Sequence, residues 1–214
     1  MNTNLTPLST VHLVDDDDSF RTALSRLLKA AGYEVQTYKS AVNFLLERTS
    51  EMQGCLLLDI RMPGASGLEL QEALHRQNTR LPVIFLTAHG DIPMSVRAMK
   101  SGAVDFLTKP VKREDLLIAV KSALRKETAS RISEANLQTC QLRFNTLTVR
   151  EREVFFLAVA GKMNKEIAAQ LGTAERTVKS HRAQVMTKMQ AGSFADLVRM
   201  ADHLQVNETS SLQN

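Results

Sequence analysis

In the first half of the chain, short apolar runs alternate five times with stretches whose apolar residues recur at helical spacing, and few architectures accept that pattern. The runs cover 11–14, 35–38, 55–58, 82–86 and 104–107, each bounded by turn-forming residues. Four of them are nearly all apolar, as parallel strands covered on both faces require. Between the first two, Phe20, Ala23, Leu24, Leu27, Leu28 and Ala31 repeat with helical period before Gly32. Weaker versions run through 41–48, 68–78, 92–101 and 114–125. Five strand–helix units predict an α/β domain of the doubly wound, flavodoxin-like kind, with a five-stranded parallel sheet. Ligands of such sheets sit beyond the carboxyl ends of the strands.

The residues just past those ends carry chemistry. Asp15, Asp16, Asp17 and Asp18 follow the first run, Asp59 the third, Thr87 and Ala88 the fourth, and Lys109 and Pro110 the fifth. Carboxylates gathered in one pocket repel one another unless a hard cation takes them up, and an all-oxygen donor set suits Mg²⁺. A lysine and a hydroxyl beside them suit a phosphoryl group. Asp18, close before the helical pattern at Phe20, is expected to cap that helix and Asp17 to be solvated, which leaves Asp15 and Asp16 near the metal.

The second half has different punctuation. All five prolines fall at or before Pro110, and no Gly or Pro occurs from Val111 to Ala160. Helical segments are predicted over 149–160, 165–171, 174–190 and 194–204, the first three stopped by Gly161, Gly172 and Gly192. The Gly172–Thr173 turn, with Thr173 as N-cap of the third segment, has the length of a helix-turn-helix. On that third segment Val178, Val185 and Met189 share a face, while Arg176, Lys179, Ser180, Ala183 and Thr187 share another. One face can pack while the other reads DNA. Charge agrees: residues 1–128 carry a net +1 and 129–214 a net +3, with six basic residues between Lys162 and Lys188 against Glu166 and Glu175. Residues 127–142 contain no helix breaker, so the last helix of the first domain is expected to extend through them, a flexible tether being the alternative. The polar end, 207–214, reads as a frayed tail.

The segment VHLVDDDDSFR, the stretch LLLDIRMPGASGLEL around Asp59, TAHGDIPMSVRAMKSGAVDF and the LTKP after it resemble the receiver domain of two-component response regulators of the FixJ type, over residues 10–126. The resemblance implies that Asp59 is phosphorylated by a sensor histidine kinase, and that Asp15, Asp16, Asp59 and the backbone carbonyl of Arg61 hold Mg²⁺. Thr87, Ala88 and Lys109 would receive the phosphoryl group, with Thr87 and Phe106 as the conformational switch. It also places a phosphorylation-dependent homodimer on the face that includes Val96 and Lys100. The sequence from Leu147 to Met189 resembles the four-helix DNA-binding domain of LuxR, NarL and FixJ type regulators, over residues 143–206. By that resemblance Lys179, Ser180 and Ala183 read bases, and Lys165, Arg176, His181 and Arg182 meet phosphates or groove edges. Ser180 and Ala183 are smaller than the residues many members carry there.

These features imply a transcription regulator that is phosphorylated, dimerises on promoter DNA, activates by working with RNA polymerase, and is not itself an enzyme. A Mg²⁺-dependent phosphohydrolase with an aspartate nucleophile would share Asp59, but it needs a general acid two residues on, where this chain has Arg61. A ligand-sensing regulator would need a cavity that the acidic pocket makes unnecessary. The longest apolar stretch, 154–160, is far too short to cross a bilayer, and residues 1–10 lack a signal core, so a soluble cytoplasmic protein is expected. Cys55 and Cys140, unpaired in spacing, fit a reducing compartment.

Overall fold

The computed structural model describes residues 9–49, 52–77, 79, 81–88 and 92–204, and over 92–95 the backbone alone. The tail expected to fray, 207–214, lies outside them. The chain divides into two compact units, residues 1–131 and 132–214.

The first unit is built from β1 (Thr10–Val14), α1 (Asp18–Ala30), β2 (Glu34–Tyr38), α2 (Ala41–Glu47), β3 (Cys55–Asp59), α3 (Gly67–Arg76), β4 (Val83–Thr87), α4 (Ile92–Lys100), β5 (Asp105–Thr108) and the start of α5 (Arg113–Asn145). The five strands pair in parallel in the order β2-β1-β3-β4-β5. This is the doubly wound sheet inferred from the apolar runs.

Two cores explain why those runs are continuous. Along β3, Cys55 and Leu57 enter a cluster with Val11, Leu13, Ile84 and Leu86 beneath α1 and α5, while Leu56 and Leu58 enter another with Val14, Val83 and Phe85 beneath α2, α3 and α4. Successive side chains of a strand leave opposite faces, so a strand serving two cores must be apolar at every position. Each fully buried leucine contributes roughly 1.5–3 kcal/mol. Edge strand β2 serves the cores less and exposes Glu34, Gln36 and Thr37. Both cysteines are free and buried, and burial pushes the Cys55 thiol up to about 12.

Gly67 sets the start of α3. A Cβ there would lie 2.3 Å from the Asp59 carbonyl oxygen, and the Gly67 N–H donates to the Ile60 carbonyl at 3.0 Å. Only glycine lets this helix begin so close to the end of β3.

Residues 127–142 lie within α5, which continues to Asn145. Its last turns carry Cys140 and Phe144 into the core of the second unit. There follow α6 (Val149–Val159), α7 (Asn164–Leu171), α8 (Glu175–Met189) and α9 (Phe194–His203). Phe144, Phe155 and Phe156 pack edge to face with ring centroids 5.4–5.8 Å apart. Thr148 caps α6, accepting from the Glu151 N–H, and the Glu151 carboxylate accepts from the Thr148 N–H at 2.7 Å and from Lys188 Nζ at 2.6 Å. One carboxylate thus ties the start of α6 to α8.

Two details of the second unit correct the sequence reading. The N-cap of α8 is Ala174, with no side-chain cap, rather than Thr173. The first bonds of α8, from the N–H groups of Thr177 and Val178, are accepted by the Ala174 carbonyl at 2.9 and 3.2 Å, while the Thr173 N–H closes α7 on the Ala168 carbonyl, so α8 opens one residue later. At its other end Gln190 adopts the left-handed conformation (φ 55°, ψ 37°) that Gly192 was expected to supply. Gly172, with φ 62°, does end α7 as glycine should. No helix among the described residues is long and apolar enough to cross a membrane.

Candidate metal centre and nucleic-acid interface

Because the strands are parallel, the residues trailing β1, β3, β4 and β5 gather at one end of the sheet. Asp15, Asp16 and Asp59 each bring a carboxylate oxygen within 4.8 Å of the others. Asp15 and Asp59 are buried and Asp16 is open to solvent. Lys109 donates from Nζ to Asp15 Oδ2 at 2.7 Å and stands 3.2 Å from Asp59 Oδ2. Thr87, buried at the end of β4, accepts the Lys109 N–H on its carbonyl at 2.6 Å, and Ala88 beside it is exposed.

Burial raises the Asp59 carboxyl above its ordinary value; the Asp15 charge adds to this, while Lys109 and the Arg61 N–H act against it. For Lys109, burial acts downward, but the hydrogen bond and charge of Asp15 and the charge of Asp59 hold the ammonium above its ordinary value. The lysine therefore stays charged, as one cation between two buried carboxylates. The unbalanced negative charge, presented by oxygen atoms alone, fits a hard divalent cation.

The roles expected of the two outer aspartates are exchanged. Asp17 is the N-cap of α1, accepting from the N–H groups of Ser19 at 2.9 Å and Phe20 at 3.0 Å, and these bonds hold its carboxyl low. Asp18 is already helical and pairs with Arg21. Two residues that the sequence reading left out of the pocket support it. Arg21 donates to the Asp15 carbonyl at 2.6 Å, and the Phe20 ring lies 4.3 Å from the Lys109 ammonium. Their signal was positional: both sit in the first turns after the aspartate run.

In the second unit, α7 and α8 meet across Gly172. Val178, Val185 and Met189 are buried, and Arg176, Lys179, Ser180 and Ala183 are exposed on α8, as is Lys165 on α7. A helix anchored by one face offers the other to a groove.

Residues 11–121 match the response regulator receiver domain, and residues 145–201 the bacterial regulatory proteins of the luxR family. Nodulation protein W of Bradyrhizobium diazoefficiens is 45% identical over 203 residues, covering 95% of this chain and 89% of that protein. The transcriptional regulatory protein FixJ of Azorhizobium caulinodans is 43% identical over 191 residues, covering 89% and 90%. The solved response regulator StyR matches with a TM-score of 0.81 at 47% identity, over 91% of this chain and 98% of that one. Full-length FixJ from B. japonicum matches with a TM-score of 0.57 at 39% identity, over 93% and 98%.

The chain is a response regulator of the FixJ/NarL family.

The remaining residues named for this response regulator lie where their elements carry them. Phe106 is partly buried on β5 and packs against the core beneath α2, α3 and α4. Val96 and Lys100 are exposed on α4, as is Ile118 on α5. His181 and Arg182 are half-buried. Arg182 differs from a free phosphate contact: its Nη1 donates to Asn164 Oδ1 at 3.2 Å and the Lys162 carbonyl at 3.4 Å, and its guanidinium lies 5.2 Å from the Phe194 ring. It joins α8 to the start of α7 and to α9, because its position on the helix points back into the unit rather than outward.

Proposed function

We propose that this regulator is switched by phosphorylation of Asp59 and then binds promoter DNA as a homodimer. The observation that carries the reading is the Asp15–Lys109–Asp59 arrangement, in which a held ammonium spans two buried carboxylates at 2.7 and 3.2 Å. A carboxylate nucleophile needs its own charge and the incoming one offset, and positioning with electrostatics suffices for phosphoryl transfer. An Asp59 oxygen attacks the phosphorus of the kinase's phosphohistidine, the new O–P bond forming as the N–P bond breaks. Asp15, Asp16, Asp59 and the Arg61 carbonyl would hold Mg²⁺, which when bound would neutralise charge on the transferred group. Lys109 pairs with the phosphoryl group, Thr87 hydrogen-bonds it, and small Ala88 leaves room for it.

The added charge draws Thr87 toward the phosphoryl group and lets Phe106 turn behind it. The exposed apolar residues Val96, Met99 and Ile118 on α4 and α5 support a dimer on that face, with Lys100 at its rim. Dimerisation pairs two copies of α8 on two half-sites. Lys179, Ser180 and Ala183 face bases; Lys165, Arg176 and His181 lie at the groove edge. The regulator works in the cytoplasm as an activator in contact with RNA polymerase, as the family resemblance implies.

Acetyl phosphate with Mg²⁺ should label the chain on one acid-labile site, and Asp59→Asn should abolish labelling; labelling of D59N at full stoichiometry would move the acceptor elsewhere. Beryllium fluoride should convert the chain to a dimer in sedimentation, and Val96→Asp should prevent this while leaving labelling intact. A dimer of V96D at undiminished level would place the interface on another face.

A further inference from the structure

Asp15 spends every polar atom it has on the protein. Its N–H donates to the Tyr38 carbonyl at 3.1 Å, Oδ1 accepts from the Asp17 N–H at 3.0 Å, Oδ2 accepts from Lys109 Nζ at 2.7 Å, and its carbonyl accepts from Arg21 Nη1 at 2.6 Å. Bonded so fully, it tolerates complete burial. Asp16 is the opposite case. It is open to solvent, and among the described residues no hydrogen bond or ion pair holds its carboxylate. Where that carboxylate stands is therefore decided by the backbone on either side of it.

On one side that backbone is the peptide joining Asp15 to Asp16, just past the end of β1 at Val14. No backbone N–H among the described residues takes the Asp15 carbonyl, so the Arg21 guanidinium is what fixes this peptide. On the other side is Asp17, held as the N-cap of α1. Arg21 is itself anchored: its N–H donates to the Asp17 carbonyl at 2.9 Å, its other terminal nitrogen pairs with Asp18, and its side chain is only 14% exposed. A planar fork of donors can hold two oxygens in set directions, which an ammonium does not reproduce. A buried carbonyl stripped of that donor gains by turning toward another, and Asp16 turns with it.

By charge alone Arg21 is out of place. Beside Lys109, a second cation near three carboxylates competes with a divalent ion for the same attraction, so neutralising it ought to tighten the site. We propose instead that Arg21 is a positioning residue of the acidic pocket: it holds the Asp15–Asp16 peptide so that the Asp16 carboxylate stays within reach of those of Asp15 and Asp59, and this cationic side chain thereby raises the affinity of the site for a cation. The inference rests on the reading of the pocket as a Mg²⁺ site and gives Arg21 no contact with the ion. Residues that orient a ligand from behind commonly govern metal affinity.

Mn²⁺ serves as the probe in the full-length chain, its free ion followed by electron paramagnetic resonance and its bound ion displaced by Mg²⁺. Arg21→Met should weaken both ions roughly tenfold, although it removes a positive charge. The Mg²⁺ concentration that half-saturates labelling by acetyl phosphate should rise by the same factor, with the rate at saturating Mg²⁺ unchanged. Arg21→Lys, which keeps the charge and loses the fork, should weaken binding in the same direction. A residue of merely structural role would lower the denaturant midpoint of the metal-free chain and leave the affinity of the folded chain where it was. Mn²⁺ binding in R21M as tight as in the parent, or tighter, overturns the proposal alone; if R21M does not fold, parental binding in R21K overturns it. A parent chain that takes up no Mn²⁺ overturns the reading of the pocket, and this proposal with it.

Discussion

Lys109 Nζ is 2.7 Å from Asp15 Oδ2 but 3.2 Å from Asp59 Oδ2, so the ammonium is hydrogen-bonded most closely to the aspartate that is not the proposed acceptor. Asp59 is held more loosely and keeps an oxygen within reach of a metal or a phosphorus atom. The lysine is also what makes two buried carboxylates tolerable before any cation arrives.

Replacing Lys109 with Met should therefore destabilise the metal-free receiver by roughly 3 kcal/mol, the usual cost of stripping a buried charge of its partner. Mg²⁺ should restore much of that loss, because a divalent ion can take over the neutralisation. Denaturant midpoints with and without Mg²⁺ measure it. A stabilisation by Mg²⁺ in K109M no larger than in the parent chain would show that the carboxylates do not share a metal site.

His12 makes the receiver sensitive to mild acid. Its ring, 2% exposed on β1, lies 3.0 Å from the Gln53 carbonyl and 3.3 Å from the Tyr38 hydroxyl. Burial holds it below its ordinary 6.5, outweighing the Gln53 hydrogen bond that acts upward. The unfolded chain thus takes up a proton below pH 6.5 that the folded chain refuses. Its contribution is constant above that pH and falls as pH drops toward the folded value, by up to about 1.4 kcal/mol per pH unit. His12→Gln should flatten the decline of the denaturant midpoint between pH 6.5 and 5.5. Parallel curves for the two chains would assign the decline to other groups.

On α8, base reading and framework should separate. Lys179 is exposed, so Lys179→Ala should leave the melting temperature unchanged and cost roughly 1–3 kcal/mol on operator DNA, while sparing non-specific affinity. Arg182 bonds Asn164 and covers Phe194, so Arg182→Ala should lower the melting temperature of the DNA-binding unit and weaken operator and scrambled duplexes alike. Binding at several salt concentrations, run beside thermal melts, distinguishes the two residues. Equal losses on both duplexes for K179A would remove it from the base-reading set.

The parallel sheet and the gathering of Asp15, Asp59 and Lys109 beyond its strand ends were legible because strand and helix periods are local and the strand ends follow from them. What escaped was decided by single hydrogen bonds or by distant partners. Asp17 rather than Asp18 caps α1 because its carboxylate accepts from the N–H groups of Ser19 and Phe20, and Ala174 rather than Thr173 precedes α8 because its carbonyl accepts the first bonds of that helix. Gln190 took the left-handed position two residues before the glycine that seemed made for it. The internal contacts of Arg182 depend on Asn164 and Phe194 in other helices, and the bond from Gln71 Nε2 reaches the Ser101 carbonyl thirty residues away; neither pairing leaves a periodic trace in the chain.

The two-sided burial of β3 has a mechanical consequence. Cys55 and Leu57 are gripped from one side and Leu56 and Leu58 from the other, and Gly67 lets α3 press on the carbonyl of Asp59 itself. A slide of this strand would disturb two close-packed interiors at once. The proposed acceptor carboxylate is thus mounted on an anvil: were its charge to change, the recoil would fall on the freer pieces around it, β5 with its half-buried Phe106 and the exposed face of α4, and a local chemical event would acquire a direction.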